Sequence, residues 1–273
     1  MAKIVTFGNF KGGTGKTTNS CMIAYHLSKK GYKTLVVDLD PQANATALYL
    51  ATKQAQTKEV VQFDTTLMTA ISNNNIESIV TKIKDNLYLL PSFADFTSYP
   101  LYLEKLYPGA ESQYQRAVHF SKLLEPLEDQ FDYIIIDTPP TVSLFTDSAL
   151  MASRYVIVVL QTQERSYTGA EAYIEYLQEL IDNYKADYDI SGILPVLLKK
   201  KSQVDQLILD QAKKQFGNEN VFETIVKNME RLKRYDIIGI VDPDNPSQKY
   251  DIHDKKVHYL YDKITDEFIK RVK

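Results

Sequence analysis

Short apolar runs alternate with longer segments of helical periodicity along most of this chain. Each run has hydrophobic residues at successive positions, many of them β-branched, which is typical of strands that are buried on both faces of a sheet. Six strands are predicted in this way, at residues 4–7, 34–37, 87–90, 133–136, 155–160 and 190–198. The alternation with helices predicts an α/β fold, in which a mostly parallel twisted sheet of about seven or eight strands has helices on both faces.

The segments between the strands differ in how clearly they predict helices. Residues 19–30 place Ile23, Ala24 and Leu27 on one face and end at Gly31, which is a good helix stop signal. The pattern therefore predicts a helix that follows the first strand directly.

Two longer segments and one proline complete this outline. Residues 92–125 are predicted to be mostly helical, whereas the polar segment 51–75 is predicted to be a loop-rich excursion with a short helix. Pro195 lacks the N–H group that a sheet ladder needs, so its part of the last strand is expected at a sheet edge. Without an internal repeat or a long linker, residues 1–273 are predicted to form a single domain.

The last twenty residues allow two interpretations. Four apolar residues fall near one helical face, and basic residues lie beside them, as in helices that bind membrane surfaces. Three acidic residues in the same segment oppose binding to anionic lipid, so a helix that docks on the core is favoured. The apolar residues are Tyr261, Ile264, Phe268 and Val272, and the acidic ones are Asp262, Asp266 and Glu267.

Composition narrows the class of protein. The 273 residues are 44% apolar and 25% charged, which is ordinary for a soluble globular protein. The one cysteine, Cys21, excludes an internal disulfide and a cysteine-held metal cluster within one chain. His253 and His258 are predicted to be separate surface residues, because the histidine spacing matches no metal motif. We expect neither a secretion signal nor a transmembrane helix, and hence a cytoplasmic protein.

Charge is distributed unevenly along the chain. The net charge is −3, so any contact with nucleic acid must come from a local patch. Residues 199–235 carry nine basic and five acidic residues, so this segment is positive and the remainder is negative. Such asymmetry is typical of a face that binds a phosphate backbone. The candidate contacts are Lys199, Lys200, Lys201, Lys227, Arg231, Lys233 and Arg234.

Residues 11–18, here called the phosphate loop, read KGGTGKTT and lie between the first predicted strand and helix. Glycines let the backbone curl so that several N–H groups point at phosphate oxygens, and the helix N-terminus adds a positive dipole end. Phe10 stands where the usual spacing has glycine, so Gly12 and Gly13 are expected to supply the curl. Lys16 can reach terminal phosphates, and the Thr17 hydroxyl can ligate Mg²⁺. The predicted nucleotide-binding residues are Lys11, Gly12, Gly13, Thr14, Gly15, Lys16, Thr17 and Thr18.

Acidic residues follow two other predicted strands. Asp38 and Asp40 come directly after the second strand, and Asp137 comes directly after residues 133–136. Ligands of open α/β sheets bind beyond the carboxyl ends of the strands, so these carboxylates are expected beside the phosphate loop. An apolar strand that ends in aspartate commonly holds Mg²⁺ through water.

The three segments together resemble the deviant Walker A ATPases, and the chain is most similar to the ParA partition ATPases among them. The form DLDPQAN at residues 38–44 is much more typical of ParA than of MinD. The resemblance implies a P-loop NTPase fold with ATP and Mg²⁺ as cofactors. It also implies a dimer that sandwiches two ATP molecules, in which Lys11 reaches the phosphates held by the partner subunit. By the same analogy Lys16 serves its own nucleotide, Asp40 orients the attacking water, and Asp38 and Asp137 hold the Mg²⁺ shell with Thr17.

The resemblance further implies partners. ParA proteins in the ATP dimer bind nucleoid DNA without sequence preference, and a centromere-bound ParB-like protein triggers hydrolysis. The function implied is segregation of a plasmid or a chromosome by a nucleoid-associated ATPase. The alternative function is that of a MinD-like membrane-associated positioning ATPase, and a biosynthetic enzyme that uses ATP is a remote alternative. Because the chain starts at its first strand, no operator-specific DNA reading is expected. Relatives often have IPRN near the base, where this chain has IVKN at residues 225–228, so Asn228 is the candidate adenine contact.

Overall fold

A computed structural model describes residues 1–162, 164–198 and 202–273. Its centre is one eight-stranded sheet in the order β3-β4-β2-β5-β1-β6-β7-β8, in which only β3 runs antiparallel to its neighbour. This sheet confirms the predicted fold class. The strands are β1 (Lys3–Gly8), β2 (Thr34–Asp38), β3 (Thr81–Lys84), β4 (Leu87–Leu90), β5 (Tyr133–Asp137), β6 (Tyr155–Gln161), β7 (Asp189–Leu198) and β8 (Val226–Lys227).

Helices cover both faces of the sheet, because its central strands are apolar on both sides. Helices α1, α2, α9 and α10 pack on one face, and α3 to α8 pack on the other. They are α1 (Lys16–Lys29), α2 (Asn44–Thr57), α3 (Leu67–Ser72), α4 (Tyr99–Leu106), α5 (Gln113–Glu128), α6 (Leu144–Ala152), α7 (Glu164–Tyr184), α8 (Gln203–Phe216), α9 (Glu230–Ile238) and α10 (Ile252–Arg271).

The register of the central strands places the candidate chemistry at one edge. Parallel pairing sets Phe7 of β1 and Asp38 of β2 opposite Asp137 of β5. Every residue of β2 and β5 is buried, including the two aspartates. The phosphate loop and both aspartate-bearing strand ends therefore meet at the carboxyl edge of the sheet.

The six predicted strands are confirmed to within one residue at each end, and residues 92–125 are mostly helical as expected. The prediction for residues 51–75 holds in part, because the segment contains a loop and the short helix α3, whereas residues 51–57 belong to α2. Helix α2 docks on the segment after α9, where the Ile240 N–H donates to Thr52 Oγ1 at 2.9 Å. The prediction for Pro195 is wrong. Pro195 does not lie at an edge, because the short strand β8 lies beyond β7.

The C-terminal helix α10 docks on the core, as favoured. Its apolar residues Tyr261, Ile264 and Phe268 are fully buried, and the Phe268 ring stacks on Phe7 of β1 at 6.1 Å between centroids. In the described part of the chain, no helix has both the length and the apolar character needed to cross a membrane.

The prediction of two surface histidines holds for His253 and is wrong for His258. His258 lies on the inner face of α10, where Nδ1 is 3.1 Å from Nε2 of the buried His26 on α1. Burial lowers the pKa of both imidazoles, so this pair remains neutral at physiological pH and is part of the packing between the two helices.

Candidate active site

The phosphate loop is a tight connection from β1 to α1. Gly13 and Gly15 have φ values of 72° and 81°, in the left-handed region that favours glycine. Gly15 is also the N-cap of α1, so the loop leads directly into the positive end of a helix. Phe10 turns away from the loop and packs edge-on against Tyr173 and Tyr176 of α7, which explains why an aromatic residue is accommodated there.

A buried asparagine, which the sequence analysis did not identify, holds the start of this loop. Asn9 is 1% exposed, and its Nδ2 donates to the Val159 carbonyl on β6 at 2.8 Å. Its Oδ1 accepts the Lys11 N–H at 2.8 Å. The loop is therefore tied to the neighbouring strand directly before Lys11, and only the three-dimensional pairing of β1 with β6 brings these groups together.

The two lysines of the loop have different surroundings. Lys16 is 6% exposed, and its Nζ donates to the Lys11 carbonyl at 3.4 Å. Burial lowers the Lys16 pKa, whereas the charges of Asp137 and Asp40 oppose this effect. The Lys11 side chain is more exposed and extends towards the end of β6, where its Nζ lies 3.3 Å from Gln161 Oε1. The backbone thus separates a buried ammonium from one that points out of the loop.

Thr17 and Asp137 form the oxygen cluster that fits a magnesium ion best. Thr17 Oγ1 donates to Asp137 Oδ2 at 2.7 Å, and Ser20 Oγ donates to Asp137 Oδ1 at 3.3 Å. Burial raises the Asp137 pKa, while the Thr17 hydrogen bond and the Lys16 charge act against this rise. Mg²⁺ prefers hard oxygen ligands and keeps several waters, so few protein ligands are required. Among the described residues, no three His, Cys, Asp or Glu side chains form a group that could hold a metal ion.

Both carboxylate oxygens of Asp38 accept hydrogen bonds from residues that follow it closely in the chain. Oδ1 accepts the Asp40 N–H at 3.1 Å, and Oδ2 accepts both the N–H and the hydroxyl of Thr46 at 2.8 Å. Burial, followed by the nearby Asp137, raises the Asp38 pKa. Its observed contacts hold the first turn of α2 against β2, so its position fits an indirect role better than direct contact with a metal.

Asp40 lies at the wall of a cavity of about 540 Å³ that the phosphate loop also lines. Its Oδ1 accepts the Gln42 N–H at 2.9 Å, and its side chain is 7% exposed. The cavity lining also includes Lys233 and Asp236 of α9, which the sequence analysis did not place near the loop. The packing of α9 against α2 brings them there, a contact without a local sequence signal.

The residues that are candidates for DNA contact lie in different environments. Lys199, Lys200 and Lys201 lie outside the described residues. Lys227 and Arg234 are exposed, whereas the Arg231 side chain is 11% exposed and bonds Asp251 at 2.5 Å and Asp254 at 3.3 Å. Arg231 therefore stabilises the start of α10 and is not available to a phosphate backbone. Lys233 lines the loop cavity, as described above.

Asn228, the candidate adenine contact, is not among the residues that line the loop cavity. It is exposed and lines a separate groove of about 980 Å³ together with Lys227 and the α10 residues Lys256, Tyr259 and Lys263. Asn228 follows β8, the edge strand, which is separated from β1 by β6 and β7. Its contact with adenine therefore stays a prediction.

Known proteins that resemble this chain in sequence agree on its family. A family model described as an AAA domain matches residues 2–190. The sporulation initiation inhibitor protein Soj of Bacillus subtilis is 29% identical over 232 residues, covering 85% of this chain and 87% of Soj. The virulence plasmid ParA family protein pGP5-D of Chlamydia psittaci is 30% identical over 212 residues, covering 76% and 74% of the two chains.

Solved structures agree on the fold. McdA from Cyanothece in complex with ATP matches with a TM-score of 0.78 at 21% identity, over 98% of this chain and 96% of that one. Cobyrinic acid a,c-diamide synthase from Mycobacterium smegmatis, with bound ADP and magnesium, matches with a TM-score of 0.72 at 21% identity, over 99% and 95%. At this identity the likeness concerns architecture, and function has to be argued from the site.

Proposed function

This chain belongs to the ParA-type partition ATPases of the AAA-domain family, and from this premise we propose that it segregates a plasmid or a chromosome through an ATP-dependent cycle of DNA binding. The observation that carries the proposal is the junction of the phosphate loop, Asp40 and Asp137 at one sheet edge. There one cavity combines curled backbone N–H groups, a buried lysine and carboxylates. This combination suits a nucleoside triphosphate and its hydrolysis.

The residues of the site receive the following roles in this proposal. The N–H groups of the phosphate loop and Lys16 bind the phosphates of ATP, while Thr17 and Asp137 hold Mg²⁺ directly or through water. Mg²⁺ neutralises charge on the phosphate oxygens when it is bound. Asp40 orients the attacking water, which its place on the cavity wall supports. Asp38 supports Asp40 indirectly through the hydrogen bond to its N–H.

The dimer is proposed from the position of Lys11. Its Nζ reaches away from the loop towards Gln161, whereas the Lys16 Nζ remains inside it. We propose that Lys11 contacts the nucleotide of a second copy and neutralises the charge that develops on the transferring phosphoryl group. A ParB-like partner, which stimulates this hydrolysis and releases the protein from DNA, belongs to the same proposal.

A groove that contains three lysines supports the proposed DNA face. Its lining includes Lys227 and, on α10, Lys256, the exposed Tyr259 and Lys263, and basic side chains exceed acidic ones by one, because Glu223 and Glu230 also line it. Lysines of this kind bind a phosphate backbone without reading base sequence. Lys199, Lys200, Lys201 and Arg234 remain proposed contacts, and Lys256 and Lys263 are added to them.

Helix α10, the candidate membrane-binding helix of the membrane-associated alternative, does not expose its apolar face. The apolar residues of α10 that would enter a lipid surface are buried against the sheet, and Phe268 stacks on β1. A biosynthetic function rests only on the shared fold, because the likeness to the amide-forming synthase is structural at low identity. Sequence relatives that are named chromosome-partitioning proteins, from Treponema pallidum and Myxococcus xanthus, favour partition instead.

A binding experiment separates these functions. The purified chain is mixed with random duplex DNA and, separately, with anionic phosphatidylglycerol vesicles, each with ADP or ATP and Mg²⁺. Partition predicts salt-sensitive DNA retention with ATP only, and weaker retention by Lys227→Glu. Lys105→Glu, at an exposed position on α4 on the opposite face of the sheet, is the matched control. Binding to vesicles without binding to DNA would exclude the partition function.

A further inference from the structure

The C-terminal helix α10 reaches the phosphate loop through two buried side chains. Tyr261 is fully buried on the inner face of α10, and its hydroxyl donates to Oδ1 of Asn19 at 2.9 Å. Asn19 lies in the first turn of α1 and is 2% exposed, and its Nδ2 donates to the Gly15 carbonyl at 2.7 Å. Two hydrogen bonds thus connect the last described helix of the chain with Gly15, the last glycine of the phosphate loop.

The direction of both bonds follows from the chemistry of the groups. A carbonyl oxygen only accepts hydrogen bonds, so the NH₂ group of Asn19 has to face Gly15. The amide oxygen of Asn19 then faces Tyr261, whose hydroxyl has to donate. A rotated Asn19 amide would place two oxygens against each other at Gly15. The Tyr261 hydroxyl therefore fixes the amide in the orientation that holds the loop.

The carbonyl that Asn19 binds determines the direction of the next N–H group. A trans peptide is planar, so the Gly15 C=O and the Lys16 N–H point in opposite directions. The Gly15 carbonyl also accepts the Asn19 backbone N–H at 2.9 Å, so it is held along the axis of α1. The Lys16 N–H is thereby directed out of the helix N-terminus, where the loop cavity lies and where a phosphate oxygen can accept it.

We propose that Tyr261 is a positioning residue for nucleotide binding, which acts through Asn19 on the Gly15–Lys16 peptide. The inference rests on the proposed ATP site and adds to it a contribution from α10, a helix that lines no part of the loop cavity. Removal of the hydroxyl leaves the Asn19 amide less firmly oriented, so the Gly15 carbonyl keeps only its bond from the Asn19 backbone N–H as a firm restraint, and the Lys16 N–H is less well ordered before ATP arrives. Binding has to supply this ordering, so affinity decreases.

The test uses Tyr261→Phe in the full chain, because this change removes one hydroxyl and retains the buried ring. We expect the dissociation constant for MgATP, measured by titration calorimetry, to rise about fivefold. The KM for ATP rises with it, while kcat stays within about twofold. Tyr188→Phe is the matched control, because its buried hydroxyl donates to the Leu177 carbonyl at 2.8 Å, in the cluster on the opposite face of the sheet.

A double-mutant cycle distinguishes positioning from general destabilisation. In the Asn19→Ala background, Tyr261→Phe should weaken ATP binding no further, because both changes act through one chain of bonds. Independent effects on affinity, or an unchanged dissociation constant in Tyr261→Phe, would overturn the inference while leaving the ATP site intact. Absence of ATP binding by the unmodified chain would instead overturn the proposed function, and this inference with it.

Discussion

At the scale of single residues, Lys11 and Lys16 show how one short loop presents two positive charges in different directions. Lys16 is buried among loop carbonyls and carboxylates, which suits the proposed role of binding the nucleotide held by its own loop. Lys11 extends to Gln161 at the end of β6. The fold provides this separation, because Asn9 anchors the chain to β6 directly before Lys11.

The two lysines should therefore give different losses on substitution. Lys16→Ala removes charge-assisted bonds to phosphate, and we expect ATP affinity to fall by about tenfold or more. Lys11→Ala should keep ATP affinity within about threefold and lose hydrolysis by about a thousandfold, as when an arginine finger is removed. Nucleotide titration and turnover assays measure both effects. Loss of ATP binding in Lys11→Ala would place this lysine in the cradle of its own nucleotide.

Asp40 provides a second test at this scale. Because its carboxylate lies at the cavity wall, Asp40→Ala should lower kcat by about a hundredfold or more while ATP still binds. The variant should accumulate the ATP-bound dimer, which gel filtration with ATP detects. Normal turnover in Asp40→Ala would contradict the role assigned to this residue.

At the scale of helices and strands, the contact between α6 and α7 contains a partly buried carboxylate. Asp147 of α6 accepts a hydrogen bond from the Tyr176 hydroxyl of α7, on the helix that also packs against Phe10. Burial raises the Asp147 pKa to about 6. The packing of α7, which supports the phosphate loop, is thus coupled to a titratable group outside the proposed site.

This coupling predicts how stability varies with pH. Because the folded-state pKa of Asp147 lies above its unfolded value, its protonation favours the fold, and this contribution is lost as pH rises through about 6. A difference of about two pKa units between the folded and unfolded states corresponds to about 3 kcal/mol in the free energy of unfolding. Asp147→Asn should therefore raise the free energy of unfolding at pH 8 and have little effect at pH 4, measured by urea denaturation. An equal effect at both pH values would contradict the prediction.

At the scale of the whole molecule, charge is separated in a way that the net value conceals. The chain has a net charge of −3, yet residues 199–235 have four more basic than acidic residues. The fold places Lys256 and Lys263, which lie outside that segment, beside Lys227 in one groove. The proposed DNA face thus combines two regions that are distant in the sequence.

Salt dependence provides the test at this scale. If a dimer contacts DNA through Lys227, Lys256 and Lys263 of both copies, about six phosphates are neutralised. A plot of log affinity against log salt should then have a slope of about −5. Lys227→Ala should make this slope shallower by about two, whereas Lys105→Ala should leave it unchanged. A slope near zero would exclude a phosphate-binding face.

The sequence by itself determined the parts of this protein that depend on local order along the chain. Six strands were predicted because apolar β-branched runs are a local pattern, and the loop was predicted because glycine and lysine spacing is local too. Their meeting at one edge also followed, since parallel strands present their carboxyl ends together.

Tertiary structure alone decided which side chains from distant segments meet. Arg231 was expected on a surface, but its ion pairs with Asp251 and Asp254 arise from the packing of α9 against the start of α10. His258 was expected to be exposed and is buried against His26 for a similar reason. Tyr261, Asn19 and Gly15 lie in one chain of hydrogen bonds, although up to 246 positions separate them. No local pattern encodes such contacts, because each requires two helices to pack on the same face of the sheet.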